Sequence, residues 1–422
     1  MKVLIIGGGG REHALAWQCA KFAEVAGVFV APGNAGTALE NKITNINIEP
    51  ENIDKLIIFA QENSIDITIV GPEAPLVLGI VDKFSAAGLA IFGPTKAAAE
   101  LEGSKAFCKD FLVRHNIPTA FYGVFSEVAP ALEYVHEKGT PIVIKADGLA
   151  AGKGVIIAEN EAQAAAAIRS MLKGNRFGEA GSRVVIEEFL SGEEASFIVM
   201  VDGENILPMA TSQDHKARDN GDSGPNTGGM GAYSPAPIVT AEIFALVMEK
   251  VIRPTVSGMA AEGKPYTGFL YAGLMIYGQN QFKVLEYNCR FGDPETQPIM
   301  MRLQSNLADL CLLATAKKLD KANVKWDEKA CLGVVLAANG YPDSYQSGEI
   351  INLPDDSAEA KIFHAGTRLE NGKILSSGGR VLCATALGDS TKQAQKNAYD
   401  LLKKINWPGA YYRNDIGFKA TD

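Results

Sequence analysis

Three polar residues at two-residue spacing, Glu286, Asn288 and Arg290, end a β-favouring run in the sequence FKVLEYNCR. Strand residues two apart point to the same face, so a carboxylate and a carboxamide would lie side by side. Such hard oxygen ligands suit Mg²⁺. Arg290 comes next on that face, where it could neutralise a phosphate or a carboxylate. Taken alone, the pattern fits a surface strand end with a structural ion pair equally well.

A second candidate group lies in the segment TPIVIKADGLAAGKGVIIA. Lys145 ends an apolar strand, where the presence of a lysine requires an explanation. Gly148, Gly152 and Gly154 form a loop before a second, antiparallel strand, and such a flap can present backbone N–H groups to a triphosphate. The segment lacks the GxxxxGK[ST] pattern of a Walker loop. Lys153 is explained equally well as a phosphate contact and as surface charge.

A pair of strands joined by a turn is predicted in VVIEEFLSGEEASFIVMVD. The end of the first strand can pair its backbone with an adenine edge, and an acid can hold ribose hydroxyls. Glu194, at the start of the return strand, is our choice for that acid. Considered by itself, the acidic cluster fits a solvated hairpin tip better.

The N-terminal segment KVLIIGGGGREHALAWQCA predicts a strand, a glycine turn and a helix. A continuous apolar run is typical of a strand buried in a parallel sheet. Gly7 to Gly10 allow a tight turn, with a helix N-terminus available for an anion. The dinucleotide fingerprint fails because Glu12 stands at its last glycine position and no ribose-binding acid follows the next strand, so an NAD-dependent dehydrogenase is disfavoured. A bound phosphate or sugar phosphate and a simple tight turn remain alternatives.

The order of elements predicts a multidomain chain with α/β and α+β parts. Two more β-runs, IDITIV and LAIF, end in Gly-Pro, and Glu73 follows the first of them. We therefore predict an N-terminal doubly wound parallel α/β domain over residues 1–103. An α+β core should follow over residues 104–328, with a flap lobe at about 120–192. Residues 329–422 should form a small C-terminal α+β domain.

Composition limits the class of protein. The chain has 422 residues and a formal net charge of -9, which disfavours a broad nucleic-acid surface. No apolar run reaches the length of a membrane span, and no signal peptide pattern begins the sequence. Six cysteines without CxxC pairing indicate reduced thiols in a cytoplasmic protein. Five histidines without ligand spacing make a zinc site improbable.

Taken in order, these segments resemble the ATP-grasp superfamily, in which two α+β lobes hold ATP between them. Two longer strings, QDHKARDNGDSGPNTGGMGAYSPAP and NCRFGDPETQ, are similar to motifs of the phosphoribosylamine–glycine ligase family of purine biosynthesis. The resemblance extends over nearly the whole chain, including IIGGGGREHA.

The resemblance implies roles for individual residues. It implies that ATP is held by Lys105, Lys145, Gly152, Gly154, Glu187, Leu190 and Glu194. It implies that Mg²⁺ or Mn²⁺ is held by Glu286 and Asn288. It implies substrate contacts from Gly9, Gly10, Asp214, His215, Arg290, Gln297 and Arg380. It implies catalytic roles for Arg290, Asp293, Asp214 and Lys216. A hairpin arginine in a surface ion pair explains Arg380 about as well.

Two positions qualify the comparison. Many relatives carry Arg after the DHK triplet, but here Ala217 follows and Arg218 comes next. The strand before the metal strand has Leu274 and Ile276 where superfamily members often supply an acid. A metal would therefore rely on the two predicted ligands, phosphate oxygens and water, which Mg²⁺ accepts readily.

The implied reaction joins glycine to 5-phosphoribosylamine with release of ADP and phosphate, through glycyl phosphate. Asp214, Asp293 and the phosphate itself are alternative acceptors of the amine proton. The alternatives are a different ATP-grasp carboxylate–amine ligase and a non-catalytic nucleotide-binding protein. We expect a monomer with small-molecule substrates only.

Overall fold

The computed structural model describes residues 1–149, 154–173 and 182–421. The elements of the first segment are β1 (Lys2–Gly7), α1 (Gly10–Ala20), β2 (Gly27–Pro32), α2 (Ala35–Leu39), β3 (Ile43–Asn45), α3 (Ile53–Glu62), β4 (Ile67–Val70), α4 (Glu73–Leu78), α5 (Ile80–Ala86), β5 (Ile91–Phe92), α6 (Glu100–Gly103) and α7 (Lys105–Arg114).

The five strands of this segment form one parallel sheet in the order β3-β2-β1-β4-β5. Alternate residues of β1 enter different cores: Val3 and Ile5 face one, and Leu4 and Ile6 face the other. A strand covered on both faces has to be apolar throughout, which explains the uninterrupted run in the sequence. The predicted doubly wound parallel domain is therefore confirmed.

The flap lobe is a small sheet covered by two helices. Its elements are β6 (Tyr122–Phe125), α8 (Val128–Lys138), β7 (Ile142–Ala146), β8 (Val155–Ala158), α9 (Glu161–Lys173) and β9 (Val184–Glu188). The strands pair antiparallel in the order β6-β9-β7-β8. Because β7 and β8 are antiparallel neighbours, the predicted geometry of the two strands that flank the glycine loop is confirmed.

The second lobe is built on a longer antiparallel sheet. The elements of this part are β10 (Glu193–Asp202), β11 (Ile206–Pro208), β12 (Gln213–Asp214), β13 (Ala217–Asp219), β14 (Ser223–Asn226), β15 (Gly231–Ser234), α10 (Ala241–Val247), a π turn (Met248–Ile252), α11 (Arg253–Ala261), β16 (Thr267–Tyr277), β17 (Gln281–Asn288), α12 (Thr296–Arg302), α13 (Leu307–Thr315) and a 3₁₀ turn (Leu319–Lys321). The main sheet has the order β11-β10-β16-β17.

The C-terminal sheet crosses the domain boundary that the sequence predicts at residue 329. The remaining elements are β18 (Ala330–Ala338), β19 (Ile350–Ile351), β20 (Ala360–His364), β21 (Thr367–Glu370), β22 (Lys373–Ser376), β23 (Arg380–Gly388), α14 (Thr391–Leu402), β24 (Ala410–Tyr411) and a 3₁₀ turn (Phe418–Ala420). One sheet has the order β12-β15-β18-β23-β20, with β24 also paired to β18. Residues 213–234, which precede the boundary, therefore share hydrogen bonds with the C-terminal part.

Two general expectations can be compared with the folded chain. All six cysteines are buried and carry free thiols. Among the residues that the structure describes, no helix has both the length and the apolar character needed to cross a bilayer.

The end of β10 is fixed by a buried carboxylate. Asp202 is fully buried and accepts hydrogen bonds from the backbone N–H groups of Glu204, Asn205 and Leu319 at 2.7–3.2 Å. Burial opposes ionisation of this carboxyl, but the hydrogen bonds keep the pKa of Asp202 below its ordinary value. The Asp202 side chain thus connects the turn between β10 and β11 to the 3₁₀ turn that follows α13.

Replacing Asp202 by alanine should lower the free energy of unfolding by about 1–3 kcal/mol, because buried N–H groups lose their acceptor. Urea unfolding followed by tryptophan fluorescence measures the change. Asp320→Ala, at an exposed position of the same 3₁₀ turn, is the matched control and should change stability by about 0.5 kcal/mol or less. Equal midpoints for the two variants would contradict this explanation.

Candidate functional site

The predicted metal ligands lie on β17, where a bulge adjusts the strand. Glu286 is opposite Gly273, but Val284 is opposite Leu274, so Leu285 is an extra residue in the pairing. A bulge of this kind re-aims the side chains beside it. Asn288 follows at the end of the strand, opposite Tyr271. When its amide is oriented by hydrogen bonding, its nitrogen donates to the Tyr287 carbonyl and to Glu102 Oε1, both at 3.2 Å.

The Glu286 carboxylate lies in a strongly positive environment. Burial opposes its ionisation, yet nearby cations lower the pKa of Glu286 to about 2. These cations are, in order of effect, Lys216, Lys145, Lys105 and Arg290. An ionised carboxylate beside a carboxamide fits the ligand chemistry of Mg²⁺ or Mn²⁺. In the described ranges no cluster of three His, Cys, Asp or Glu side chains could bind a metal alone.

Lys145 has the buried partner that its position in an apolar strand requires. Glu187 on β9 lies 3.2 Å from Lys145 Nζ and 2.8 Å from Lys109 Nζ on α7. All three side chains are almost completely buried. Burial lowers the pKa of Lys145 by itself, but Glu187 and then Glu286 reverse the effect and raise it. Glu187 therefore holds Lys145 as a cation facing Glu286, and its carboxylate is committed to the two lysines.

Lys105 begins α7 and points toward the glycine loop. Its ammonium donates to the Gly148 carbonyl at 2.8 Å. The carbonyl of Gly154 accepts a hydrogen bond from the Ala146 N–H at 2.8 Å, which closes the base of the loop. Gly152 and Lys153 lie outside the described residues.

The junction between the two lobes combines an apolar cluster with an acid. Leu190, Ala120, Met275 and Leu285 pack together there. Glu194, on the first strand of the second lobe, pairs with Lys216 at 2.9 Å. An apolar surface next to an acid has the properties expected of a site for a base and its ribose.

Arg290 is held between two glutamates. Its guanidinium lies 3.2 Å from Glu73 and 2.9 Å from Glu102, and it also donates to the Phe291 carbonyl at 3.1 Å. Burial raises the pKa of Glu102 to about 7, against the opposing effect of Arg290. The N-terminal domain, which supplies both acids, thus fixes the arginine of the RFGDPETQ motif.

Three parts of the chain meet at Asp293. Arg380 lies 2.8 Å from its carboxylate, and Gln297 Nε2 donates to it at the same distance. The glycine turn also lies beside these residues. A Cβ atom added to Gly10 would lie 2.5 Å from Gln297 Nε2, and one added to Gly9 would lie 3.8 Å from the Asp293 carboxylate. The predicted residues Gly9, Gly10, Asp293, Gln297 and Arg380 are therefore brought together.

Glu12 explains why the glycine turn departs from the dinucleotide pattern. Its carboxylate accepts the Gly9 N–H at 2.6 Å and pairs with Arg11 at 2.6 Å. A Cβ atom on Gly71 would lie only 2.1 Å from this carboxylate, so the acid fills the space between the strand ends. The N–H group of Gly9 is already bonded to the protein's own carboxylate.

The DHK triplet contains side chains in three different environments. Asp214 has an oxygen that is buried without a hydrogen-bond partner among the described residues. Burial and Glu295 raise the pKa of Asp214 well above its ordinary value. Lys216 reaches Glu194 at 2.9 Å and Glu286 at 3.7 Å.

His215 differs from its neighbours because it is almost completely buried. Its Nδ1 bonds Asp222 at 3.2 Å, and its Nε2 accepts the Gly417 N–H at 2.9 Å. Both ring nitrogens are therefore engaged, which leaves none for the substrate contact that the resemblance implied. Arg218 pairs with Asp219 at 2.8 Å, and within the described ranges its side chain forms no ion pair or hydrogen bond with a predicted site residue.

A buried polar network lies beneath the site and was not predicted from the sequence. Ser196 on β10 bonds the Tyr271 hydroxyl at 3.0 Å and donates to Glu295 at 2.9 Å. Glu295 is inside RFGDPETQ, and Tyr271 is on β16. A serine within the apolar strand ASFIVMV was the available signal. Lys109 and Glu102 were also overlooked, since their partners are distant in sequence.

Family comparisons agree with this architecture. Sequence models of the N, ATP-grasp and C domains of phosphoribosylglycinamide synthetase match residues 1–102, 103–296 and 331–419. The chain belongs to the phosphoribosylglycinamide synthetase family. The predicted resemblance is therefore confirmed, and with it the ATP-grasp fold class.

Relatives within the phosphoribosylglycinamide synthetase family match from end to end. The chain is 65% identical to the phosphoribosylamine–glycine ligase of Vibrio parahaemolyticus, covering all of this chain and 98% of that one. It is also 65% identical to the enzyme of that name from Salmonella typhimurium, covering all of this chain and 99% of that one. A crystal structure of the Thermotoga maritima phosphoribosylamine–glycine ligase is 35% identical, with a TM-score of 0.86 over 99% of this chain and 100% of that one.

Replacing Glu187 by glutamine should lower the free energy of unfolding by about 3–5 kcal/mol, because two buried lysines lose their common counter-charge. Glu188→Gln is the matched control. Glu188 is the next residue on β9, but it is half-buried and pairs with Lys283 at 2.6 Å, so its loss should change stability by about 1 kcal/mol or less. Chemical denaturation measures both effects, and a Glu187→Gln change as small as the control would exclude the proposed role.

The stability difference between wild type and Glu187→Gln should also depend on pH. Burial alone would raise the pKa of Glu187, but Lys145 and Lys109 lower it below the ordinary value of 4.5. A lowered folded-state pKa gives a stabilisation that is complete above the unfolded-state pKa and is lost as the pH falls through the folded-state pKa. The difference between wild type and Glu187→Gln should stay constant from pH 7 to about pH 5 and shrink only in more acidic solution. A decline that is already complete at pH 5 would contradict the assignment.

Proposed function

We propose that this chain is an ATP-dependent ligase that joins glycine to 5-phosphoribosylamine and releases ADP and phosphate. The observation that carries the proposal is the full-length identity of about 65% to phosphoribosylamine–glycine ligases. The cluster of lysines around Glu286 supports the proposal. The product of this reaction, glycinamide ribonucleotide, belongs to purine biosynthesis.

The first chemical step is phosphoryl transfer from ATP to the glycine carboxylate, which gives glycyl phosphate. This transfer depends mainly on alignment and neutralisation of charge. Lys105 and Lys145 lie near Glu286 and are suited to bind the phosphates. Glu286 and Asn288 would hold Mg²⁺ or Mn²⁺, which when bound neutralises phosphate charge.

The nucleotide base is assigned to the lobe junction. Leu190 and its apolar neighbours provide a surface for adenine, and Glu194 is suited to the ribose hydroxyls. Glu187 acts indirectly, since its carboxylate is bonded to two lysines. The loop that contains Gly152 and Gly154 would cover the phosphates and exclude water from the labile acyl phosphate.

Arg290 is assigned to the substrate carboxylate. It keeps its charge, and Glu73 and Glu102 fix its orientation. A planar guanidinium held in one orientation binds a carboxylate with directional hydrogen bonds.

The sugar phosphate is assigned to the place where Gly9, Gly10, Gln297 and Arg380 converge. The 1-amino group of phosphoribosylamine then attacks the acyl carbon, phosphate leaves, and the amine gives up a proton. Asp214 is better suited than Asp293 to accept that proton. Burial and Glu295 raise the pKa of Asp214, whereas Arg380 lowers the pKa of Asp293 against the effect of burial. His215 is assigned a positioning role because it fixes the segment that carries Asp214.

The setting inferred for this enzyme is the cytoplasm. Six buried free thiols suit a reducing compartment, and the net charge of -9 does not favour nucleic acid as a partner. We propose a monomer that acts on small molecules alone.

The assay of choice measures ADP release with ATP, divalent metal, glycine and freshly generated phosphoribosylamine, leaving out one component at a time. Release should require all of them. Glu286→Gln should reduce kcat by at least about 100-fold, since a charge that orients the reacting phosphates is lost. Glu193→Gln, at an exposed position on β10, is the control. ADP release that persists without glycine would contradict the assignment of glycine as the substrate. Nucleotide binding without any ADP release would favour the hypothesis of a non-catalytic nucleotide-binding protein.

The role of Arg290 is tested by Arg290→Lys. Lysine cannot reproduce the bonds to both glutamates and a carboxylate at once, so kcat/KM for glycine should fall by about 100-fold while ATP affinity changes little. Arg218→Lys, which changes an arginine that pairs with its neighbour Asp219, should leave both constants near their wild-type values. Equal losses in glycine and ATP parameters would show that Arg290 is only structural.

A further inference from the structure

One ammonium group links two carboxylates to which the proposed function gives separate tasks. Lys216 Nζ lies 2.9 Å from Glu194, the proposed ribose acid, and 3.7 Å from Glu286, the proposed metal ligand. These two acids come from different strands, β10 and β17. A side chain that reaches both of them occupies the space between the ribose position and the metal position.

The backbone of Lys216 is fixed, whereas its side chain is partly accessible. Its carbonyl accepts hydrogen bonds from the N–H and the hydroxyl of Thr227 at 2.8 and 2.9 Å. The side chain is 28% exposed and the two acids are 37% and 34% exposed, so solvent reaches the cluster. Lys216 can therefore change its contacts by rotation of its flexible stem without movement of the chain.

A divalent cation and an ammonium group compete for the same carboxylate. Two positive charges about 4 Å apart repel each other strongly when water does not fully screen them. Asp214 and Tyr271 also act on the charge of the ammonium, and Lys145 and Lys105 add positive charge around Glu286. A metal ion at Glu286 would thus be repelled by three lysines, unless a bound anion neutralised their charges.

We infer that Lys216 keeps Glu286 neutralised until the nucleotide arrives, and that its ammonium then moves to the phosphates. The metal accordingly enters with the nucleotide rather than before it. This inference rests on the proposed function, because it takes Glu286 as the metal ligand and the phosphates as the incoming anion. Lys216 is a positioning residue for metal binding in addition to any contact it makes with phosphate.

The test is Mn²⁺ binding to the full chain without nucleotide, measured by the electron paramagnetic resonance signal of free Mn²⁺. Lys216→Met should bind Mn²⁺ about tenfold or more tightly than wild type, because one positive charge beside the carboxylate is removed. Lys216→Arg keeps the charge and should bind as weakly as wild type. Lys283→Met is the matched control, since Lys283 pairs with Glu188 outside this cluster, and it should also bind as wild type does.

Two further measurements complete the experiment. Adding Glu286→Gln to Lys216→Met should abolish the gained Mn²⁺ affinity, which locates the metal. With a non-hydrolysable ATP analogue present, wild type should bind Mn²⁺ tightly. Unchanged Mn²⁺ affinity in Lys216→Met, or equal gains in the methionine and arginine variants, would overturn the inference.

Failure of the inference is distinguishable from failure of the proposed function. If wild type releases ADP only with glycine and phosphoribosylamine while Lys216→Met binds Mn²⁺ as weakly as wild type, the ligase assignment stands and the role of Lys216 is wrong. If Mn²⁺ binding changes as expected but no ADP is released with those substrates, the charge competition stands and the substrate assignment is wrong.

Discussion

Several lysines lie close together around Glu187 and Glu286. In this structure, protein carboxylates stabilise them. Glu187 lies between two buried lysines, and Glu286 faces a third and a fourth. Without these acids the lysines would repel each other and lose protons in the protein interior. The acids on strands β9 and β17, placed between lysines from other elements, are thus a condition for the rest of the site.

The same constraint connects the domains. Arg290 belongs to the strand end of one lobe, but the acids that fix it come from the N-terminal domain. Asp293 is bonded to Arg380, which begins a strand of the C-terminal domain. These interdomain contacts are ion pairs with a defined direction. The N-terminal and C-terminal domains are therefore positioned by the residues to which the proposed function assigns substrate contacts.

The sequence allowed a large part of this architecture to be predicted, for reasons that differ between elements. The parallel sheet was predictable because β1 is covered on both faces and has to be apolar throughout. The strand that carries Glu286 and Asn288 was predictable from its β-favouring residues. The partner of Lys145 was not, since Glu187 meets Lys145 and Lys109 only after three elements have packed. The burial of His215 was likewise hidden, because its partner Gly417 is 202 residues away.

Because β15 pairs with β18, two segments that are distant in the sequence have to remain compatible with each other. Residues 213–234 carry Asp214 and Lys216, yet they are hydrogen-bonded to the strands that follow residue 329. A recombination event between two relatives that exchanges only the C-terminal segment would pair β15 from one parent with β18 from the other. Viable chimaeras should therefore retain both pieces from one parent, and the two pieces should diverge together, although about a hundred residues separate them along the chain.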